Sequence, residues 1–145
     1  MTFKKKFMLI LIILGLFINI ACPLDAYAKK KKKLSEDEIG QISDTVNLLM
    51  KKVYGGALFS PKDNDNMVDI KIKLDDSMGS GPGNKAFPQI YYKLGIVYKD
   101  REYRDEAIEC FQTILDSFPD SPYAAKSINE LKKMGVKVAM PGMQP

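Results

Sequence analysis

Histidine and tryptophan are absent from all 145 residues, and cysteine occurs only twice, at positions 22 and 110. Without an imidazole, the chain lacks the one side chain whose ordinary pKa lies near neutrality. General acid–base chemistry and metal ligation would then rest on Asp, Glu, Lys and Tyr alone. Nothing can form a Ser–His or Cys–His pair. If Cys22 leaves with an N-terminal leader, Cys110 is the only thiol and no internal disulfide can form. Cys110 stands between Glu109 and Phe111 in a helical pattern, where a small buried hydrophobe fits better than a nucleophile. The carboxylate pairs Asp75/Asp76 and Asp100/Asp105 fall where helix ends carry solvated acids. The expectation is a chain that is no enzyme, with no catalytic residues, no cofactor and no metal.

A basic face on the fold is also missing. The net charge of +4 comes from Lys4–Lys6 and Lys29–Lys33, whereas from Leu34 onward fourteen Lys or Arg face seventeen Asp or Glu. A slightly acidic folded part argues against nucleic acid as partner, since a binder needs its positive footprint on the fold. What remains is ordinary globular composition, 46% apolar and 28% charged, with room for one domain.

The first 28 residues read as a secretory signal peptide: a basic start, an apolar run from Phe7 to Ala21, and the small-x-small ending Ala26-Tyr27-Ala28. The run is short for a span of about twenty residues. Cleavage after Ala28 places the folded part in the periplasm or outside the cell. Two readings compete. Ile20-Ala21-Cys22 resembles the end of a lipobox, with Asn19 where Leu is usual, and would make Cys22 a lipidated first residue. An uncleaved anchor is the other, and lysines on both flanks leave its topology open. Residues 29–34 form a basic lead-in, for which contact of Lys29–Lys33 with anionic lipid head groups is a minor alternative to plain solvation.

Residues 35–78 are expected to form a helical hairpin. Ser35 with Glu38 makes a capping box, Ile39, Ile42, Val46, Leu49 and Val53 recur at helical spacing, and Gly55-Gly56 stops a helix over 36–54. The next stretch sends two signals. Val68, Ile70, Ile72 and Leu74 alternate as a strand would, yet Ser60-Pro61 with Asp63 is a helix start and Met67, Ile70, Leu74 and Met78 share a helical face. Strand and helix both remain open for 67–74. Helix over 61–78 is the expectation, because a lone strand would have no partner. GSGPGNKA, residues 79–86, is not a phosphate loop, since Asn84 and Ala86 stand where a Walker-type loop needs Gly and a hydroxyl. It reads as a Gly/Pro linker. DNDN at 63–66 lacks the Gly and the closing Glu of a calcium loop.

From Pro88 the pattern sharpens. Tyr91, Leu94, Gly95 and Tyr98 lie on one helix, and after the break KDREYRD come Ala107, Phe111 and Pro119. This resembles the tetratricopeptide repeat, W-x2-L-G-x2-Y followed by A-x3-F and a terminal Pro over about 34 residues. Tyr91 replaces the usual Trp, and Ile114 stands where a small residue is usual. Gly95 and Ala107 are small enough for two antiparallel helices to approach closely, with Tyr91, Leu94, Tyr98 and Phe111 filling the space beside them. The repeat covers 87–121. Ser121-Pro122 then starts a capping helix, residues 122–135, with Ala125, Ile128 and Leu131 on one face, and 136–145 is a flexible tail.

The resemblance extends over roughly 87–135 to repeat proteins of the bacterial periplasm and outer-membrane assembly. It implies an all-α fold, a short solenoid of about five helices with 35–78 as a degenerate repeat-like hairpin, or a compact bundle if the linker lets the halves fold back. It also implies a protein or peptide partner of the bacterial envelope, met by an adaptor or scaffold. An outer-membrane lipoprotein, or an accessory subunit of an envelope or cell-wall enzyme complex, is the alternative. In the family register the groove-facing positions are Gln89, Tyr92, Ile96, Lys99 and Asp100. Tyr92 and Ile96 replace the Lys and Asn with which some members clamp a carboxylate, so a ligand would meet an aromatic and apolar strip. Packing of Tyr92 and Ile96 into the core is the equal alternative.

Overall fold

In the computed structural model, which describes residues 32–81 and 83–138, all regular structure is helical. The helices are α1 (Glu36–Tyr54), α2 (Pro61–Met78), α3 (Phe87–Asp100), α4 (Arg104–Ser117) and α5 (Pro122–Lys133). The signal-peptide, lipobox and anchor readings, Lys29–Lys31, Pro82 and residues 139–145 lie outside the described residues. Among the described residues, no helix is long and apolar enough to cross a membrane.

Local chemistry sets the boundaries. Ser35 and Ser60 each close a capping box. Their hydroxyls accept from the backbone N–H of Glu38 and Asp63, whose carboxylates accept in return from the serine N–H at 2.8 and 2.7 Å. Acids fill the first turn of α1 and Lys51 and Lys52 its last, matching the helix dipole at both ends. Residues 67–74, where the sequence pattern allowed strand or helix, are helical throughout. Met67, Ile70 and Leu74 enter the core, while Val68 and Ile72 stay about half exposed. The apparent alternation therefore comes from two apolar faces on one helix.

Helix α3 is the hub and touches each of the other four. Its contact with α4 is the most extensive, and Gly95 shows why. A Cβ at that position would lie 2.7 Å from Phe111 Cε1 and 2.9 Å from Phe111 Cζ, so only glycine lets the ring seat there. Ala107, Cys110, Phe111 and Ile114 of α4 are fully buried against Tyr91, Leu94 and Tyr98. Two tyrosine hydroxyls cross from α3 to α2: Tyr91 donates to Asp75 Oδ1 at 2.7 Å and Tyr98 to the Met67 carbonyl at 3.0 Å. Burial and the carboxylate beside it push the Tyr91 phenol well above its ordinary range, so it donates at every physiological pH.

The connections are held in place. Asn84 donates to Glu36 Oε1 at 2.8 Å and accepts from the Ala86 N–H at 2.8 Å, so this linker residue serves as a turn that precedes α3. Helix α5 turns a face slightly different from the expected one. Ala124, Ser127 and Leu131 are buried, Ile128 is half-buried, and Ala125 is exposed. Ser121 starts α5 with extended backbone, but its hydroxyl makes no capping bond.

Candidate functional site

Side chains on α3 divide between two neighbours. Tyr91 and Tyr98 point toward α2, whereas the strip read from the sequence points toward α5 or solvent. Gln89 and Asp100 are exposed, and Tyr92, Ile96 and Lys99 are half-buried. The Tyr92 ring lies 5.8 Å from that of Phe111 and 5.5 Å from that of Tyr123 on α5, both tilted. The Lys126 ammonium sits 5.0 Å from the Tyr123 centroid and 6.0 Å from that of Tyr92, within cation–π range. Burial, with Glu130 nearby, raises the Tyr92 pKa. Ile96 packs against the core from its edge. The structure thus joins Tyr92 to an aromatic cluster with α5 and leaves Gln89 and Asp100 at the margins.

Lys99 is committed elsewhere. Its ammonium bonds Glu130 Oε2, while Lys133 holds Glu130 Oε1 at 2.7 Å. Burial pushes the Glu130 carboxyl up, but the bonds from Lys133 and Lys99 outweigh it and the net shift is downward. Glu130 was not singled out from the sequence. A Glu followed three residues later by Lys reads as an ordinary surface pair, and only the placement of α5 beside α3 makes it a buried one. The repeat-packing set of Tyr91, Leu94, Gly95, Tyr98, Ala107 and Phe111 lies in the core, with Pro119 exposed in the turn after α4.

A second surface feature has no counterpart in the sequence reading. Helices α2 and α4 both lie on α3 and leave between them an open groove of 310 Å³. Asn64, Met67, Val68, Lys71, Ile72 and Asp75 form its α2 wall, a stripe at helical spacing; Tyr98 lies beneath, and Tyr103, Asp105, Glu106 and Glu109 form the opposite wall. The Lys71 ammonium bridges the walls, 2.9 Å from Asp75 and 2.8 Å from Glu109. Burial lowers the Lys71 pKa, yet Glu109 and Asp75 more than compensate and hold it charged. Tyr103 stands edge-on to Tyr98, with centroids 6.1 Å apart.

The Cys110 thiol is wholly buried, and burial pushes its pKa far above neutrality, which leaves it protonated and unreactive. Among the described residues, no three Cys, Asp or Glu side chains gather closely enough to share a metal ion. Comparison of the chain with models of known protein families, with curated proteins and with solved structures finds no match.

Proposed function

We propose that this chain is a non-catalytic interaction module of the bacterial envelope, a short tetratricopeptide-like solenoid that is exported by its leader and engages a protein or peptide partner. The α3–α4 hairpin is the observation that supports this most directly. Gly95 against Phe111 and the buried Ala107 give the seven-residue register a packing reason. Helix pairs of that kind stack to display extended surfaces that bind peptides. The exposed positions along α3 and the half-buried Tyr92 and Ile96 offer such a surface, while the buried thiol and the absence of histidine give catalysis little to work with.

Affinity capture from bacterial envelope extract tests the reading, with the full chain as bait and Tyr92→Ala and Ile96→Ala beside it. A partner held by the parent and lost from folded variants supports it, whereas a bait that never retains a partner sinks it. Mass spectrometry of the exported chain tests the address: a first residue of Lys29 supports a cleaved leader, and a lipidated Cys22 replaces it with the lipoprotein.

A further inference from the structure

Six large hydrophobic side chains stand exposed among the described residues, and three of them, Val68, Ile72 and Tyr103, line the α2–α4 groove. None of the three is needed there for helix formation. Val68 and Ile72 are β-branched residues on an exposed helix face, where straight-chain or polar residues serve better. Apolar surface concentrated in one concavity marks a site of contact more than scattered exposure does.

Charge indicates what would lie in it. The lining carries four carboxylates (Asp75, Asp105, Glu106 and Glu109) against one ammonium, Lys71, a net of −3. Lys71 pairs with both Asp75 and Glu109 and leaves that end at −1, and among the described residues Asp105 and Glu106 form no ion pair. Acids in the first turn of α4 also stabilise that helix start, but that role needs no apolar channel beside them. Asn64, on the α2 wall, holds a buried amide oxygen with no hydrogen-bond partner. The α2 stripe runs twelve residues from Asn64 to Asp75, about 16 Å of helix, which matches roughly three turns of a ligand helix.

We infer that the α2–α4 groove is the docking site for a basic amphipathic segment of the partner protein, with two or three apolar side chains laid over Val68, Ile72 and Tyr103 and Lys or Arg facing Asp105 and Glu106. The inference rests on the interaction-module reading and adds to it a second surface, apart from the Tyr92 and Ile96 strip of α3, and the chemistry of the partner segment that would lie there. Helix-in-groove recognition uses this division of labour, in which apolar anchors supply affinity and charge sets orientation and specificity.

The test measures fluorescence anisotropy of a labelled fourteen-residue Lys/Leu amphipathic peptide, about four helical turns, titrated with the full chain. A Glu/Leu peptide of the same pattern is the control. The Lys/Leu peptide is expected to bind and the Glu/Leu peptide not to bind. Ile72→Lys and the double variant Asp105→Lys/Glu106→Lys, at positions that are exposed except for the half-buried Glu106 and checked for parental circular dichroism, should each weaken binding about tenfold or more, equivalent to about 1.4 kcal/mol. Higher salt should weaken it further. No binding, equal binding of both peptides, or unchanged binding by the variants overturns the groove assignment. So does a dimer in sedimentation velocity that Ile72→Lys dissociates, which would give the groove to a second copy. A gain in affinity on trimming Lys29–Lys33 would give it to the chain's own lead-in and overturn the assignment as well. If the parent captures an envelope partner and the groove variants retain it fully, the groove falls and the interaction-module reading stands. If the parent captures nothing, the reading itself falls.

Discussion

The α3–α4 pair and the α1–α2 pair are both antiparallel helices joined by a short connection, yet they are held by different means. Between α3 and α4 the backbones approach closely over Gly95, and fully buried apolar side chains fill the contact. Helices α1 and α2 touch each other less than α1 touches α3. A concavity of 170 Å³ lies between them, with polar groups of Gln41, Thr45, Asn66 and Lys73 on its walls. A polar tie closes their joint instead, Lys52 on Asp63 at 2.6 Å. Small residues let α3 and α4 touch along their length, whereas α1 leans chiefly on α3 instead of on α2.

The largest expected effect breaks the close approach. In Gly95→Leu even the first side-chain carbon collides with Phe111, and that ring, with no exposed surface, has nowhere to retreat. Overpacking of this kind should cost about 3 kcal/mol or more, a fall in Tm of roughly 10 °C or more for a domain of this size. Gly40, on the exposed side of α1, has nothing within 4 Å of its would-be Cβ. Gly40→Ala should therefore raise Tm slightly, by about 0.5–1 kcal/mol in stability. Thermal denaturation followed by circular dichroism reads both. Equal responses at the two glycines would mean that the α3–α4 contact is not the close one.

A second pair sharpens the account of α2. Leu74 has no exposed surface and Ile72, two residues earlier, is 49% exposed. Leu74→Ala should cost about 2–5 kcal/mol, and Ile72→Ala should fall within about 0.5 kcal/mol of the parent. Urea titration separates the two, and comparable losses would indicate that the groove is covered by the protein's own structure.

Where each reading succeeded follows from the same physics. The ends of α1 and α2 were legible because Ser35 with Glu38, and Ser60 with Pro61 and Asp63, are local signals that need no tertiary partner. Gly95, Ala107 and Phe111 were legible because a close crossing demands small and large residues in fixed register. The identity of 67–74 was ambiguous because Val68 and Ile72 serve one face and Ile70 and Leu74 another, and period-two spacing is what two such faces produce. The buried side of α5 was misjudged at Ala125 because a short helix of small and polar residues takes its orientation from α4, not from its own pattern. The shape of the groove could not be read, since it exists only once α2 and α4 are both set on α3. Val68 and Ile72, unaccounted for by the core face of α2, were its sole sequence signal.

A smaller effect is expected in the α3–α4 connection. Glu102 adopts φ +65°, in the left-handed region, where a non-glycine residue costs about 1–2 kcal/mol. Glu102→Gly relieves that cost but gives freedom back to the unfolded chain, so the net gain should be about 1 kcal/mol or less, measured as a rise in the urea midpoint. A loss would show that the Glu102 side chain contributes something its exposed position does not suggest.

The last expectation concerns the polar tie of the α1–α2 joint. Lys52, then the Ser60 hydroxyl and N–H, hold the Asp63 carboxyl at about 2, below its ordinary 3.8. A carboxylate whose pKa is depressed on folding contributes stability that is complete above the unfolded value and disappears as pH falls through the folded one. Asp63→Asn should therefore lower Tm at pH 7. The gap from the parent should narrow below about pH 4 and close near pH 2, as the parent's own carboxyl takes up its proton. Lys52→Met should reproduce part of the loss with a similar acid dependence, because it removes the first of the groups that hold the carboxylate ionised. Gly95→Leu offers the contrast. No ionising side chain takes part in the contact of Gly95 with Phe111, so its deficit should persist unchanged across the same range. A gap for Asp63→Asn that stays constant from pH 7 to pH 2 would place the role of Asp63 in packing, and both helix pairs would then be held by the same kind of force.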